Sequence, residues 1–155
     1  VNNNDILRTL RYAFAWNEAK MITIFGEAEQ RITAGQLSGW LKKEEEPGYQ
    51  PCSDTQLAIF LNGLITEKRG KKEGAQAVPE QRLTNNIILR KLKIALNLKD
   101  DDMLAILALA NARLSKHELS AFFRRPDHQH YRECKDQILR AFLKGMSLKH
   151  RAHDG

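Results

Sequence analysis

Apolar residues recur along this chain at helical spacing, and nowhere do they alternate as a half-buried strand requires. From about Asp5 to Asn17, the residues Ile6, Leu7, Leu10, Ala13 and Phe14 form one stripe on an otherwise polar segment. Asn3 or Asn4 stands where a short side-chain oxygen can cap the first turn. A second segment carries Met21, Ile22, Ile24, Phe25 and Ala28. A third opens on Thr33-Ala34-Gly35-Gln36, which fits a capping box, and then turns Leu37, Trp40 and Leu41 inward. After a loop from Lys43 to Ser53, a fourth segment brings Leu57, Phe60, Leu61 and Leu64 together, with Gly63 among them. A glycine inside a helix costs about 1 kcal/mol against alanine, so its presence there predicts the close approach of another backbone.

The same four segments then appear again. Shifted by about 82 residues, the chain aligns with itself without a gap, with roughly 21 identities over roughly 68 positions. Asn3, Asn4, Arg8 and Leu10 answer to Asn85, Asn86, Arg90 and Leu92. Met103, Leu104, Ile106, Leu107 and Ala110 repeat the second segment, and Ser115 to Glu118 repeats the capping box ahead of Leu119, Phe122 and Phe123. Leu139, Phe142, Leu143 and Met146 repeat the fourth segment, with Gly145 in place of Gly63. Gly70 to Pro79 is polar and rich in glycine, as a linker would be. The fold expected is all-α, about eight helices in two tandem pseudo-equivalent four-helix repeats, each a bundle. The first covers residues 1–70, the linker 71–83 and the second repeat 84–155. One difference stands out: Asp5 and Tyr12 become Ile87 and Ile94, an added apolar strip that predicts packing on the other repeat or on a second subunit.

At 155 residues the chain is long enough to bury a core without staples. No apolar run nears the roughly 20 residues of a membrane span, and residues 1–10 lack the pattern of a secretory signal. The two cysteines, Cys52 and Cys134, occupy matching positions and read as buried thiols of a cytoplasmic protein. The net charge of +6 is uneven. It amounts to about −1 over residues 1–70, about +1 over the linker and about +6 over the second repeat. Such a balance favours an acidic partner, though moderate charge also keeps a protein dissolved.

Candidate chemistry is sparse. Gly63 to Lys72 lacks the spacing of a phosphate-cradling loop. Asp127, His128, His130 and Cys134 are metal-ligand types, but the first repeat has no histidine there, and no metal or cofactor is expected. The Asp100-Asp101-Asp102 triplet suits a helix N-terminus, where carboxylates meet free amides. A Tyr-x-x-Cys-x-Asp element occurs twice, as Tyr49, Cys52, Asp54 and as Tyr131, Cys134, Asp136. Its structural reading has the tyrosine anchoring the loop, the cysteine filling a gap and the aspartate capping the fourth helix; its functional reading is a thiol or metal pocket. Arg8 and Arg11 share a face, as do Arg90 and Lys93, with Lys91 beside them. With Lys116, Arg124 and Arg125 they form the candidate surface for an anion or a nucleic acid. The second and third segments of each repeat also have a helix-turn-helix outline, in which Gln36, Ser38, Lys116 and His117 would meet bases.

Several stretches together resemble the YehS-like family. These are Asn3 to Arg11, Trp40-Leu41-Lys42-Lys43-Glu44, Phe60 to Ile65 with Lys68-Arg69-Gly70, and Pro126-Asp127-His128 with Arg132-Glu133-Cys134. The resemblance implies a bacterial cytoplasmic protein built from a duplicated domain of unknown function, and it carries no catalytic residues. The function expected is non-catalytic: a binding or regulatory module offering helical surfaces to a macromolecular partner, protein or nucleic acid. Nucleic-acid binding through the helix pairs and the basic second repeat is one alternative, and a metal or thiol site in the Tyr-x-x-Cys-x-Asp loops is another. Neither a membrane role nor an enzymatic one is indicated, and a homodimer would account for the added apolar strip.

Overall fold

A computed structural model describes residues 1–71, 74 and 76–152 of the chain. Lys72, Glu73 and Ala75 of the predicted linker, and residues 153–155 of the second repeat, lie outside the described residues. Among the described residues the chain forms eight α-helices and no strand. They are α1 (Asn3–Phe14), α2 (Glu18–Glu27), α3 (Ala34–Leu41), α4 (Asp54–Arg69), α5 (Asn85–Ala95), α6 (Asp100–Leu109), α7 (Lys116–Ala121) and α8 (Asp136–Ala152). None is long and apolar enough to cross a membrane.

Local chemistry sets the helix starts. The predicted boxes at Thr33 with Gln36 and at Ser115 with Glu118 are closed in both directions. Ser53 and Gln56 make a third. The start of α1 differs from expectation, because its cap is Asn2 rather than Asn3 or Asn4. Asn2 has extended backbone, accepts from the Asp5 amide at 2.7 Å and donates its own amide to the Asp5 carboxylate. Asn3 and Asn4 already lie within the helix, which frees their amide groups to reach other segments. Thr84 caps α5 in the same way, accepting from Ile87 N. The acidic triplet also acts locally: Asp102 accepts from Lys99 N at 2.8 Å, Asp100 pairs with Lys93 and Asp101 with Lys116.

The two repeats are pseudo-equivalent, yet they do not stand apart as two bundles. Helix α1 packs far more extensively on α8 of the other repeat than on α4 of its own, and α5 packs on α4 in the matching way. Contacts at both ends give the directions. The Val1 nitrogen lies 3.4 Å from Asp136 at the start of α8, and the Phe14 and His150 rings meet at 4.4 Å near the ends of α1 and α8. Leu83 N donates to Asp54 at 2.8 Å, and Lys91 Nζ reaches Asn62 at 2.6 Å midway along α4. Asn3 bonds Asp54 at one end of the α1–α4 pair, and Lys68 sits 5.8 Å over the Phe14 ring at the other. The four helices α1, α4, α5 and α8 therefore run parallel, around a pseudo-two-fold axis along their length. Helix α2 runs against α4, since Lys20 near its start pairs with Glu67 near the end of α4.

One continuous core results, joining Leu7, Leu10, Leu57 and Leu61 of the first repeat to Leu89, Leu92, Leu139 and Met146 of the second. The two mid-helix glycines meet the close approach foreseen for them. A Cβ on Gly63 would overlap the carbonyl oxygen of Ile24, and one on Gly145 that of Ile106. Backbone-to-backbone contact of this kind seats α2 on α4 and α6 on α8. The predicted Ile87–Ile94 strip is covered only in part: Ile87 is half-buried, and Ile94 remains 45% exposed.

Candidate anion-binding site

The Tyr-x-x-Cys-x-Asp loops are organised by residues that precede them by almost fifty positions. Asn4 is 2% exposed, and its Nδ2 donates to the carbonyls of Trp40 and Gln50 at 2.9 and 2.8 Å. Its Oδ1 accepts from Cys52 N at 3.0 Å and from the Tyr49 hydroxyl at 3.3 Å. Asn86 repeats the clamp on Phe122 O, Arg132 O and Cys134 N. Asn3 and Asn85 then tie the cysteine carbonyls and Asp54 or Asp136 to the starts of α1 and α5. Asp54 is not the cap of α4, a role filled by Ser53; it serves as the acceptor that joins Asn3 to Leu83 N. A buried amide must be satisfied at each of its atoms, and the loops supply the partners that do so.

This environment bears on the thiols. Burial, helped by the charge of Asp54, pushes the Cys52 thiol up to about 12. Burial, then Asp136 and Glu133, pushes Cys134 up to about 11. Both therefore keep their protons at neutral pH, the opposite of what a reactive thiol needs. Asp136 is held below the ordinary carboxylate range, first by its hydrogen bond from Asn85. His128 and His130 lie with ring centres 5.6 Å apart on an exposed loop, and Asp127 pairs with Arg125. Among the described residues no group of three or more His, Cys, Asp or Glu side chains is gathered as a metal site would require.

The basic residues divide. Lys91 is drawn inward, where it pairs with Glu80 at 3.0 Å and Asn62 with its side chain only 12% exposed. Lys116 pairs with Asp101, Arg125 with Asp127, and Arg124 donates to His130 O. Arg8, Arg11, Arg90 and Lys93, by contrast, line two clefts at the end of the molecule where α1, α4, α5 and α8 all finish. Arg8, Arg11, Tyr12, Trp16, Leu41 and Arg151 line the first, of about 470 Å³. Arg90, Lys93, Ile94, Leu98, Phe123 and Arg69 line the second, of about 310 Å³. Position by position these are the same cleft, occurring twice through the duplication. Between them lies a hollow lined by Phe14 and Leu96, and by Lys68 and His150, pairs that also correspond across the repeat.

Arg69 and Arg151 are the functional candidates the sequence did not offer. Each comes from the fourth helix of one repeat and completes the cleft begun by the first helix of the other. The available signal was the basic residue that closes both α4 and α8. The surroundings also differ between the clefts. Arg8 bonds Asp5 and donates to Lys42 O at 2.8 Å, whereas Ile87 stands at the position of that carboxylate in the second repeat and Arg90 makes no ion pair among the described residues. Lys93 is held by Asp100 at 3.1 Å and lies 4.8 Å over the Phe123 ring. Arg151 stacks 4.1 Å over Tyr12, which is 59% exposed.

The helix-turn-helix outline fares less well. Helices α3 and α7 have 8 and 6 residues, and the side chains of Gln36 and Glu118 are spent in capping boxes. Gln50 and Gly48 of the following loop lie against Gly39 and cover that side of α3.

Comparison with known proteins agrees with the internal duplication. A family model described as a protein of unknown function (DUF1456) matches twice, over residues 3–70 and 85–152. The chain is 48% identical over 154 residues to the uncharacterized protein YehS of Escherichia coli (strain K12), covering 99% of each. No solved structure matches significantly. With both repeats matched and nearly the whole length aligned, the chain belongs to the DUF1456 family of YehS-like proteins, in which the matched domain occurs twice.

Proposed function

We propose that this protein is a non-catalytic binding module for single-stranded nucleic acid, and that its working surface is the end face formed by the two clefts. One observation carries the reading. A pair of pseudo-equivalent clefts, each lined by three basic side chains and each completed by the other repeat, opens at the same end of the bundle.

Part of this charge answers the fold itself. Four helix C-termini meet here, each worth about half a negative charge, and cations in the last turn offset them. Arg11, Lys68, Arg69, Lys93, Lys149 and Arg151, with Arg8 and Arg90 behind, exceed what those dipoles require, so the face stays positive. A partner carrying negative charge at regular intervals suits such a strip better than a single small anion. Single strands are favoured over duplex because the guanidinium groups stand beside exposed apolar and aromatic surface. Tyr12 under Arg151, with Trp16 near it, offers a stacking platform for an unpaired base, worth about 1–3 kcal/mol each where such platforms are used. Duplex reading through α3 and α7 has less support, given their 8 and 6 residues and their occupied polar side chains.

The test is a fluorescence-anisotropy titration with labelled single-stranded RNA, single-stranded DNA and duplex DNA at low and physiological salt. Binding should be salt-sensitive and stronger for single strands. It should weaken at least tenfold in Arg69→Glu/Arg151→Glu, while Lys116→Glu/Arg125→Glu should change it little. Absence of binding at low salt, or equal sensitivity to the two double variants, would overturn the assignment.

A further inference from the structure

We infer that the second cleft is a discrete site for a phosphate monoester dianion, gripped by Arg69 and Arg90 from opposite repeats, so that the protein prefers a nucleic-acid strand ending in a phosphate. The inference rests on the nucleic-acid reading for its biological ligand, but the site is defined by its own residues.

Arg90 carries a hydrogen-bonding demand that the fold leaves unmet. Arg90 Nε is buried and has no hydrogen-bond partner. Folded proteins leave few such donors, and each costs of the order of 1–3 kcal/mol. The equivalent Arg8 is provided for by Asp5 and by the carbonyl of Lys42. In the second repeat the carboxylate has been replaced by Ile87, and nothing else has taken its place. Arg69, arriving from the end of α4, likewise makes no ion pair among the described residues. Asp100 is engaged by Lys93. Two guanidinium forks are thus left facing one cleft, and a planar fork is suited to bidentate recognition of phosphate oxygens.

Charge and setting agree. Arg69, Arg90 and Lys93 set against Asp100 leave two positive charges, which matches a dianion rather than the single charge of a diester. The walls of Ile94, Leu98 and Phe123 lower the local dielectric and strengthen the attraction. A cleft of about 310 Å³ is at the small end for ligand sites, sized for a phosphate and its immediate ester rather than for a long chain segment. The C-termini of α4 and α5 oppose the anion, which explains why two arginines are needed where a helix N-terminus would use backbone amides.

The experiment compares oligonucleotides identical except for a 5′-phosphate, a 3′-phosphate or a free hydroxyl at both ends, with adenosine monophosphate and inorganic phosphate as small probes. At pH 7.5 one phosphorylated end should bind at least tenfold tighter than the hydroxyl form. The preference should shrink towards pH 5, because the second ionisation of a phosphomonoester lies near 6. Arg90→Met and Arg69→Met should remove it. Ile87→Asp should remove it too, by restoring to the second repeat the carboxylate that occupies Arg8 in the first. Thermal melting of each variant identifies any that fail to fold, and Arg69→Met and Ile87→Asp, at exposed or half-exposed positions, keep the test decisive. Equal affinity for all ends, with oligonucleotide binding intact, would overturn this site and leave the nucleic-acid reading standing. Phosphate or adenosine monophosphate binding abolished by Ile87→Asp, with no oligonucleotide bound, would do the reverse.

Discussion

Two asparagines at matching positions, Asn4 and Asn86, stand buried in an otherwise apolar interior. Asn4 and Asn86 each hold together the end of the third helix, the loop after it and the cysteine at its close. Replacing either by alanine strands three backbone groups in the interior. Asn4→Ala or Asn86→Ala should therefore cost at least about 3 kcal/mol, read as a lowered urea midpoint with unchanged slope. The duplicated Asn-Asn was visible in the sequence, but its role was not, because the partners lie far along the chain and asparagine before a helix reads first as a cap. The cysteines were read correctly as buried, and their chemistry follows. Unfolding lets each thiol ionise near its ordinary value of 9.0, while the folded protein retains the protons to about 12 and about 11. Their contribution to stability is thus complete below pH 9 and is lost as the pH rises towards those values. Denaturation midpoints measured from pH 8 to 11 should fall, and Cys52→Ala/Cys134→Ala should flatten the decline. Native protein at pH 8 should react with Ellman's reagent far more slowly than protein in urea.

At the level of the helix, what could be read from neighbours in sequence was legible. The capping boxes at Thr33 and Ser115, the buried faces and the tight glycines each depend on residues within a few positions or on a cost that demands an explanation. Gly63→Ala or Gly145→Ala drives a methyl group into a carbonyl of the facing helix, so each should lose about 2–3 kcal/mol. Gly26→Ala is the control. It lies in the exposed last turn of α2 with nothing within 4 Å of the added carbon, and should gain about 0.5 kcal/mol. Thermal melts of the three variants side by side distinguish contact from propensity. Helix α7 is shorter than α3, and after it Phe122 is buried while Phe123 packs against the core and also lines the second cleft.

Across the whole molecule the sequence misled on one point: a repeat of four amphipathic helices looks self-sufficient. It is not, because the first helix of each repeat, α1 or α5, finds its main partner in the fourth helix of the other, α8 or α4. Amphipathic spacing says which face is buried but not what covers it, and so the composite clefts could not be foreseen from Arg8 and Arg11 or from Arg90 and Lys93 alone. A fragment of residues 1–70 should accordingly be unfolded at low concentration and pair with a second copy when concentrated, with α1 of each on α4 of the other. Light scattering after gel filtration and a melting temperature that rises with concentration would show this, whereas a stable monomer would refute it. The parallel run of α4 and α5 has one more consequence. Helix α4 ends at the basic face and α5 begins at the opposite end, so the connecting chain must retrace the bundle. Sixteen residues of α4 rise about 24 Å, which an extended chain covers in no fewer than about seven residues. The segment from 70 to 84 has fifteen residues, about twice that number. It is best understood as a return line with slack, whose trimming should be harmless until the chain pulls taut and should then part the two halves abruptly.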